Sequence, residues 1–81
     1  MTIGNATALR IKQLLKEKQM TQYRLEQNAG ILHGSMHSII NGKTNDIQLG
    51  TIIKIAKGFD MSFIEFLDDP IFHSEELEYE Y

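Results

Sequence analysis

The chain has no cysteine and no tryptophan, one proline, and no lysine or arginine beyond Lys57 in its 81 residues. Without cysteine there are no disulfides, no thiolate zinc sites and no thiol nucleophiles, which suits the cytoplasm, where we expect the protein to work. No apolar run approaches the ~20 residues that a membrane span needs. The first residues lack the basic-then-apolar order of a secretory signal. Nothing alternates apolar and polar with period two, so no sheet is expected. Low-complexity segments and internal repeats are missing as well. A chain of this length makes one small domain with an economical core.

What is present is unevenly charged. All eight Lys and Arg lie between Arg10 and Lys57 with only Glu17, Glu26 and Asp46 among them, which gives that region +5. From Gly58 onward stand eight acids and no base, which gives −8 and a formal total of −3. The division points to an anion-binding body followed by an acidic end. Residues 1–7 carry little pattern and read as an N-terminal arm, 8–69 as the folded domain, and 70–81 as an acidic C-terminal tail. A tail of that charge can compete for the basic face. Removing the residues after Phe72 should then tighten anion binding, with a gain that shrinks at high salt.

Apolar spacing gives five short helices. The first runs from about Ala8 to Lys18, with Ala8, Ile11, Leu14, Leu15 and, at its end, Lys18 on one face and Arg10, Lys12, Lys16 and Glu17 in water. The second, Gln22 to Ala29, is capped by Thr21, with Met20 and Leu25 at hydrophobic-staple spacing. It stops at Gly30, which accepts positive φ. The third covers His33 to Asn41, with Met36, Ile39 and Ile40 inward and Asn41-Gly42 as its stop. The fourth, Gln48 to Lys57, buries Leu49, Ile52, Ile53 and Ala56 and ends at Gly58. The fifth begins at Ser62, which forms an S-x-x-E capping box with Glu65, and turns Phe63, Phe66 and Leu67 inward. Asp68-Asp69-Pro70 ends it.

The second and third helices, joined by a Gly-containing turn, make a helix-turn-helix. A helix fits the major groove of B-form DNA and brings side chains to base edges. The N-terminus of the second helix offers free N–H groups to a phosphate. Gln22 can add an amide donor there, and Lys43, Thr44 and Asn45 follow the third helix toward the next phosphate. Arg24, Arg10, Lys12 and Lys16 are further candidates for neutralising charge.

The residues Arg10-Ile11…Leu14, Thr21-Gln22-x-x-Leu25, Gly30-Ile31, Ser35-Met36, Ile39 and Asn41-Gly42-Lys43 make the chain similar to the phage-repressor/Cro-type regulators of the Xre family. The likeness continues through Leu49-x-x-Ile52-Ile53-Lys54-Ile55-Ala56-Lys57 and Ser62-Phe63-x-Glu65-Phe66-Leu67. The resemblance implies an all-α, compact five-helix, lambda-repressor-like domain that binds an operator, usually as a two-fold homodimer. Carried over by position, His33, Gly34, Ser35 and Ser38 stand where the family reads bases, with His37 and Asn41 beside them. Gln22 would clamp a phosphate, with Arg24 near it, and Lys43, Thr44 and Asn45 would hold the backbone. Three departures stand out. Glu26 replaces a usual Ala and is expected to lean outward or alter the helix crossing. Leu32 replaces the usual cap of the third helix, and Gly34 removes a side chain from the reading surface. The third helix also has no Arg, Lys or Gln, so readout would rest on Asn41, the histidines or DNA shape.

Other chemistries find little support. His33 and His37 have the i, i+4 spacing of a shared metal, but a zinc site needs further ligands, which only His73 or carboxylates can supply. Ser35, Ser38 and the histidines lack a third group to orient a base. The expectation is a non-catalytic, sequence-specific transcriptional regulator, a repressor by family habit. Its partners would be a double-stranded DNA operator and a second copy of itself, with no membrane, cofactor, metal or small-molecule ligand. The alternative is a protein-interaction module of the same fold, an antitoxin or anti-repressor partner.

Overall fold

Thr2 starts the first helix, ahead of the position that apolar periodicity suggests. In the computed structural model, which describes residues 1–73, α1 spans Ile3–Glu17, and the Thr2 hydroxyl accepts from the Asn5 N–H. The stretch read as an arm is therefore mostly helix. It is held there by tertiary contact, because the Gly4 N–H donates to the Asn45 carbonyl at 2.9 Å. A Cβ at Gly4 would overlap the Thr44 carbonyl oxygen, so only glycine lets the helix and this loop meet so closely.

The other helices are α2 (Gln22–Ala29), α3 (His33–Ile40), α4 (Leu49–Gly58) and α5 (Phe63–Leu67), followed by a 3-10 turn at Pro70–Phe72. Local caps explain most of the boundaries. The Thr21 hydroxyl accepts from the Arg24 N–H at 3.1 Å, and Gly30 closes α2 at φ +68°. Gly42, also at φ +68°, follows α3. Ser62 and Glu65 form the reciprocal capping box expected of their spacing. Leu32 gives α3 no side-chain cap. The family resemblance implied an all-α, five-helix domain, and the described residues form one.

The core draws Ile11 and Leu14 from α1, Leu25 from α2, Met36, Ile39 and Ile40 from α3, Ile52, Ile55 and Ala56 from α4, then Phe59 and Phe66. Each large side chain so buried contributes about 1.5–3 kcal/mol of transfer free energy. The buried face of α4 is rotated from the expected one. Leu49 is 54% exposed and Ile53 is half-buried, while Ile55 is fully enclosed. Lys18 likewise lies in solvent as the C-cap of α1.

Gly58 does not serve as a left-handed stop, because it is the last residue of α4 and Asp60 takes the positive φ of 59° instead. Its role is close approach. A Cβ there would lie 2.8 Å from Leu25 Cδ1 and 3.0 Å from Ala29 Cβ. The missing side chain lets α2 lie against α4, and Asn28 Nδ2 seals the crossing by donating to the Gly58 carbonyl at 3.2 Å.

Arg10 was expected in water as a phosphate candidate, yet it is buried. Its Nε donates to the Phe66 carbonyl at 2.7 Å, Nη2 to the Glu65 carbonyl at 3.1 Å, and Nη1 to Gln13 Oε1 at 3.0 Å and Asp69 Oδ2 at 3.2 Å. The guanidinium caps the Phe66 carbonyl and joins the Asp68 N–H on the Glu65 carbonyl at the end of α5, where a positive charge is favoured, and ties that helix to α1. The acidic residues from 74 to 81, with the competition proposed for them, lie outside the described residues.

Candidate nucleic-acid interface

The helix-turn-helix pair is supported from behind rather than by itself. α2 packs mainly on α4 and α3 mainly on α1, while α2 and α3 touch each other much less. Met36, Ile39 and Ile40 anchor the inner face of α3. The opposite face is free of the core, with His33, Gly34, Ser35, His37 and Asn41 all exposed and Ser38 half-buried. Periodicity alone dictates this split, since the buried positions recur at i, i+3 and i+4.

The candidate residues meet different fates. His33 and His37 stand side by side with ring centroids 6.0 Å apart. Asn41 turns back on its own helix, its Nδ2 donating to the His37 carbonyl at 2.7 Å, which leaves its amide oxygen and second amide hydrogen to offer outward. Arg24 and Lys43 are exposed, Thr44 is half-buried, and Asn45 is exposed with its carbonyl taken by Gly4. The first turn of α1 thus braces the loop that carries Lys43, Thr44 and Asn45. Asn5 adds to this support, because its Oδ1 lies 2.8 Å from where a Cβ at Gly42 would stand.

Of the two outcomes expected of Glu26, an outward lean or an altered helix crossing, the structure excludes the first. Glu26 is only 6% exposed and lies at the crossing of α2 and α3. Its Oε2 accepts from Gln22 Nε2 at 2.9 Å and meets His33 Nδ1 at 2.8 Å. The Gln22 hydrogen bond, and after it the hydrogen bond and charge of His33 and the charge of His37, hold the Glu26 carboxyl below its ordinary value of 4.5, against the opposing effect of desolvation. Gln22 therefore spends one amide hydrogen on Glu26 and has a second to donate elsewhere. An anion beside the first turn of α3 also offsets the missing cap at Leu32.

Beside α3 runs an open furrow lined by Ser35, Ser38, Thr44, Gln48 and Thr51. Sequence reading missed Gln48 and Thr51 as members of this surface. The signal available was their place at the start of α4, where Gln48 stands at an N-cap and makes no side-chain bond to its own helix. Among the described residues no three His, Cys, Asp or Glu gather as a metal site. Among the same residues no helix is long and apolar enough to cross a membrane.

A family profile for Cro/C1-type helix-turn-helix DNA-binding domains matches residues 10–70, from the first turns of α1 to the 3-10 turn. No curated protein and no solved structure matches the chain.

Proposed function

The chain belongs to the Cro/C1-type helix-turn-helix DNA-binding family, and from that premise we propose that it is a sequence-specific transcriptional regulator, a repressor that binds its operator as a homodimer in the cytoplasm. The observation that carries the proposal is the division of α3. One face is locked into the core by Met36, Ile39 and Ile40, and the other presents His33, Gly34, Ser35, His37 and Asn41 to solvent. In this reading α3 enters the major groove and its exposed side chains, with Ser38, meet base edges. Gln22 and the start of α2 take a phosphate on one side. Arg24, Lys43, Thr44 and Asn45 hold the backbone around it. No bond is made or broken, and regulation follows from occupancy of the site.

Selection from a pool of random duplexes, followed by titration against salt, tests this. Half-sites about 34 Å apart are expected of a two-fold dimer that sets α3 in successive grooves. Neutralising about six phosphates should give log K falling against log salt with a slope of about −5. A slope near zero, or no selected sequence, would overturn the proposal.

A second reading has one specific observation in its favour. Leu32 is 81% exposed at the start of α3, beside a reading surface without Arg, Lys or Gln. A protein-interaction module would use that leucine as an anchor. Replacing Leu32 by Ser would then abolish partner binding, whereas operator affinity in the first reading should change little.

A further inference from the structure

Glu26 is absorbed by neither the core nor the list of groups that would touch DNA, and its contacts constrain the chemistry of His33. An ionised carboxylate only accepts hydrogen bonds. The 2.8 Å contact between Glu26 Oε2 and His33 Nδ1 therefore requires the hydrogen to sit on Nδ1. The Gln22 amide, bonded to the same oxygen at 2.9 Å, holds the carboxylate in place. The lowered pKa of Glu26 keeps it ionised throughout the neutral range. In a neutral imidazole with its hydrogen on Nδ1, Nε2 carries a lone pair. That nitrogen has no partner among the described residues, on a side chain that is 73% exposed at the first position of α3.

We infer that Glu26 is a positioning residue that fixes the neutral His33 ring in its Nδ1–H form, so that wherever the imidazole is uncharged Nε2 faces the groove as a hydrogen-bond acceptor. The inference rests on the operator-binding reading and gives it a chemical preference. In the major groove the exocyclic amino groups of adenine and cytosine are donors, whereas guanine N7 and O6 and thymine O4 are acceptors. A fixed acceptor at His33 favours adenine or cytosine at the base it meets and disfavours guanine and thymine. A free imidazole would present either tautomer and choose less well. The reading helix, which lacks the Arg and Gln that usually read guanine and adenine, gains a defined polar probe from a residue on the helix behind it.

Two measurements on the full chain separate this inference from the reading beneath it. The first is nitrogen NMR of the histidine side chains without DNA, at about pH 8.5, above the ordinary imidazole range. His33 is assigned by its loss in His33→Ala. The wild type should show a pyrrole-type Nδ1 and a pyridine-type Nε2. Glu26→Gln, whose amide oxygen can still accept, should keep that pattern. Glu26→Ala should shift the ring toward the Nε2–H form while its melting curve still shows a folded protein. Hydrogen on Nε2 in the wild type, or an unchanged tautomer in Glu26→Ala, would overturn the inference. The second measurement is selection from random duplexes with the wild type, His33→Ala and Glu26→Ala, at the same pH so that the ring is neutral. One position in each half-site should prefer adenine or cytosine, lose the preference in His33→Ala, and lose about fivefold of its discrimination in Glu26→Ala, the worth of one neutral hydrogen bond. Guanine or thymine at that position would overturn the inference. A fixed tautomer with no duplex bound would instead overturn the operator reading and leave Glu26's hold on the ring standing.

Discussion

Arg10 and Glu26 are both charged residues buried where two helices meet, yet they do different work. Arg10 makes four hydrogen bonds, two to α5, one to Asp69 just beyond it and one to Gln13 on its own helix, and every partner belongs to the structural side of the domain. Glu26 makes two contacts, one to Gln22 on its own helix and one across to His33 on α3, which stands mostly in solvent. The first arrangement is closed, with its charge consumed in fastening one end of the fold. The second is open, because its carboxylate is hydrogen-bonded to an imidazole that stands mostly in solvent. Burial of a charge therefore does not by itself say whether a residue serves stability or recognition. The exposure of its partner is what separates the two.

The contrast breaks first if Arg10 proves dispensable. Arg10→Ala should cost about 3 kcal/mol in urea unfolding, because it strands Asp69 and the Phe66 carbonyl at the end of α5. Duplex binding should fall only as far as the folded fraction does. A smaller effect is expected at the α2–α4 crossing, also on the closed side. Gly58→Ala must push Leu25 or Ala29 aside and should cost about 1–3 kcal/mol, read as a lowered melting temperature.

On the open side, Lys43→Ala should leave unfolding within about 0.5 kcal/mol of wild type. It should lower the magnitude of the salt slope by about one for each subunit, and equally for every duplex sequence. The smallest effect is the pH dependence of Glu26. Its folded pKa lies below the ordinary value of 4.5, so its contribution to stability is complete above that value and is lost as pH falls through the lowered one. The stability gap between wild type and Glu26→Ala should thus be constant near neutrality and close only in acid. A gap that opens in acid would contradict the hydrogen-bonded carboxylate.

How much of this was legible in the sequence depended on how local each cause was. Thr21, Gly30, Asn41-Gly42 and the Ser62–Glu65 box act within four residues, and the helix ends they mark are close to those observed. The start of α1 escaped notice because Gly4 and Asn5 disfavour helix locally, and their compensation comes from the loop at Thr44 and Asn45. On α4, the sets Leu49-Ile52-Ile53-Ala56 and Ile52-Ile55-Ala56-Phe59 are both regular helical stripes. The close approach of α2 at Gly58 selects the second, and no periodicity contains that fact. Arg10 read as a solvated cation because three of its four partners lie 55 to 59 residues away. Glu26 was legible as a departure from the family pattern, but its direction depended on His33 across a turn. The exposed set on α3 followed directly from the positions of Met36, Ile39 and Ile40.

Gly58 also bears on what can be moved to another protein. Because α2 is seated on the flat spot that this residue leaves in α4, and α3 on α1, the angle between the two helices of the motif is imposed by helices outside it. A peptide cut from Met20 to Lys43, or the same segment transplanted into a foreign scaffold, would carry every side chain of the reading surface and lack the floor that orients them. Redesign of specificity in this domain must therefore be done in place.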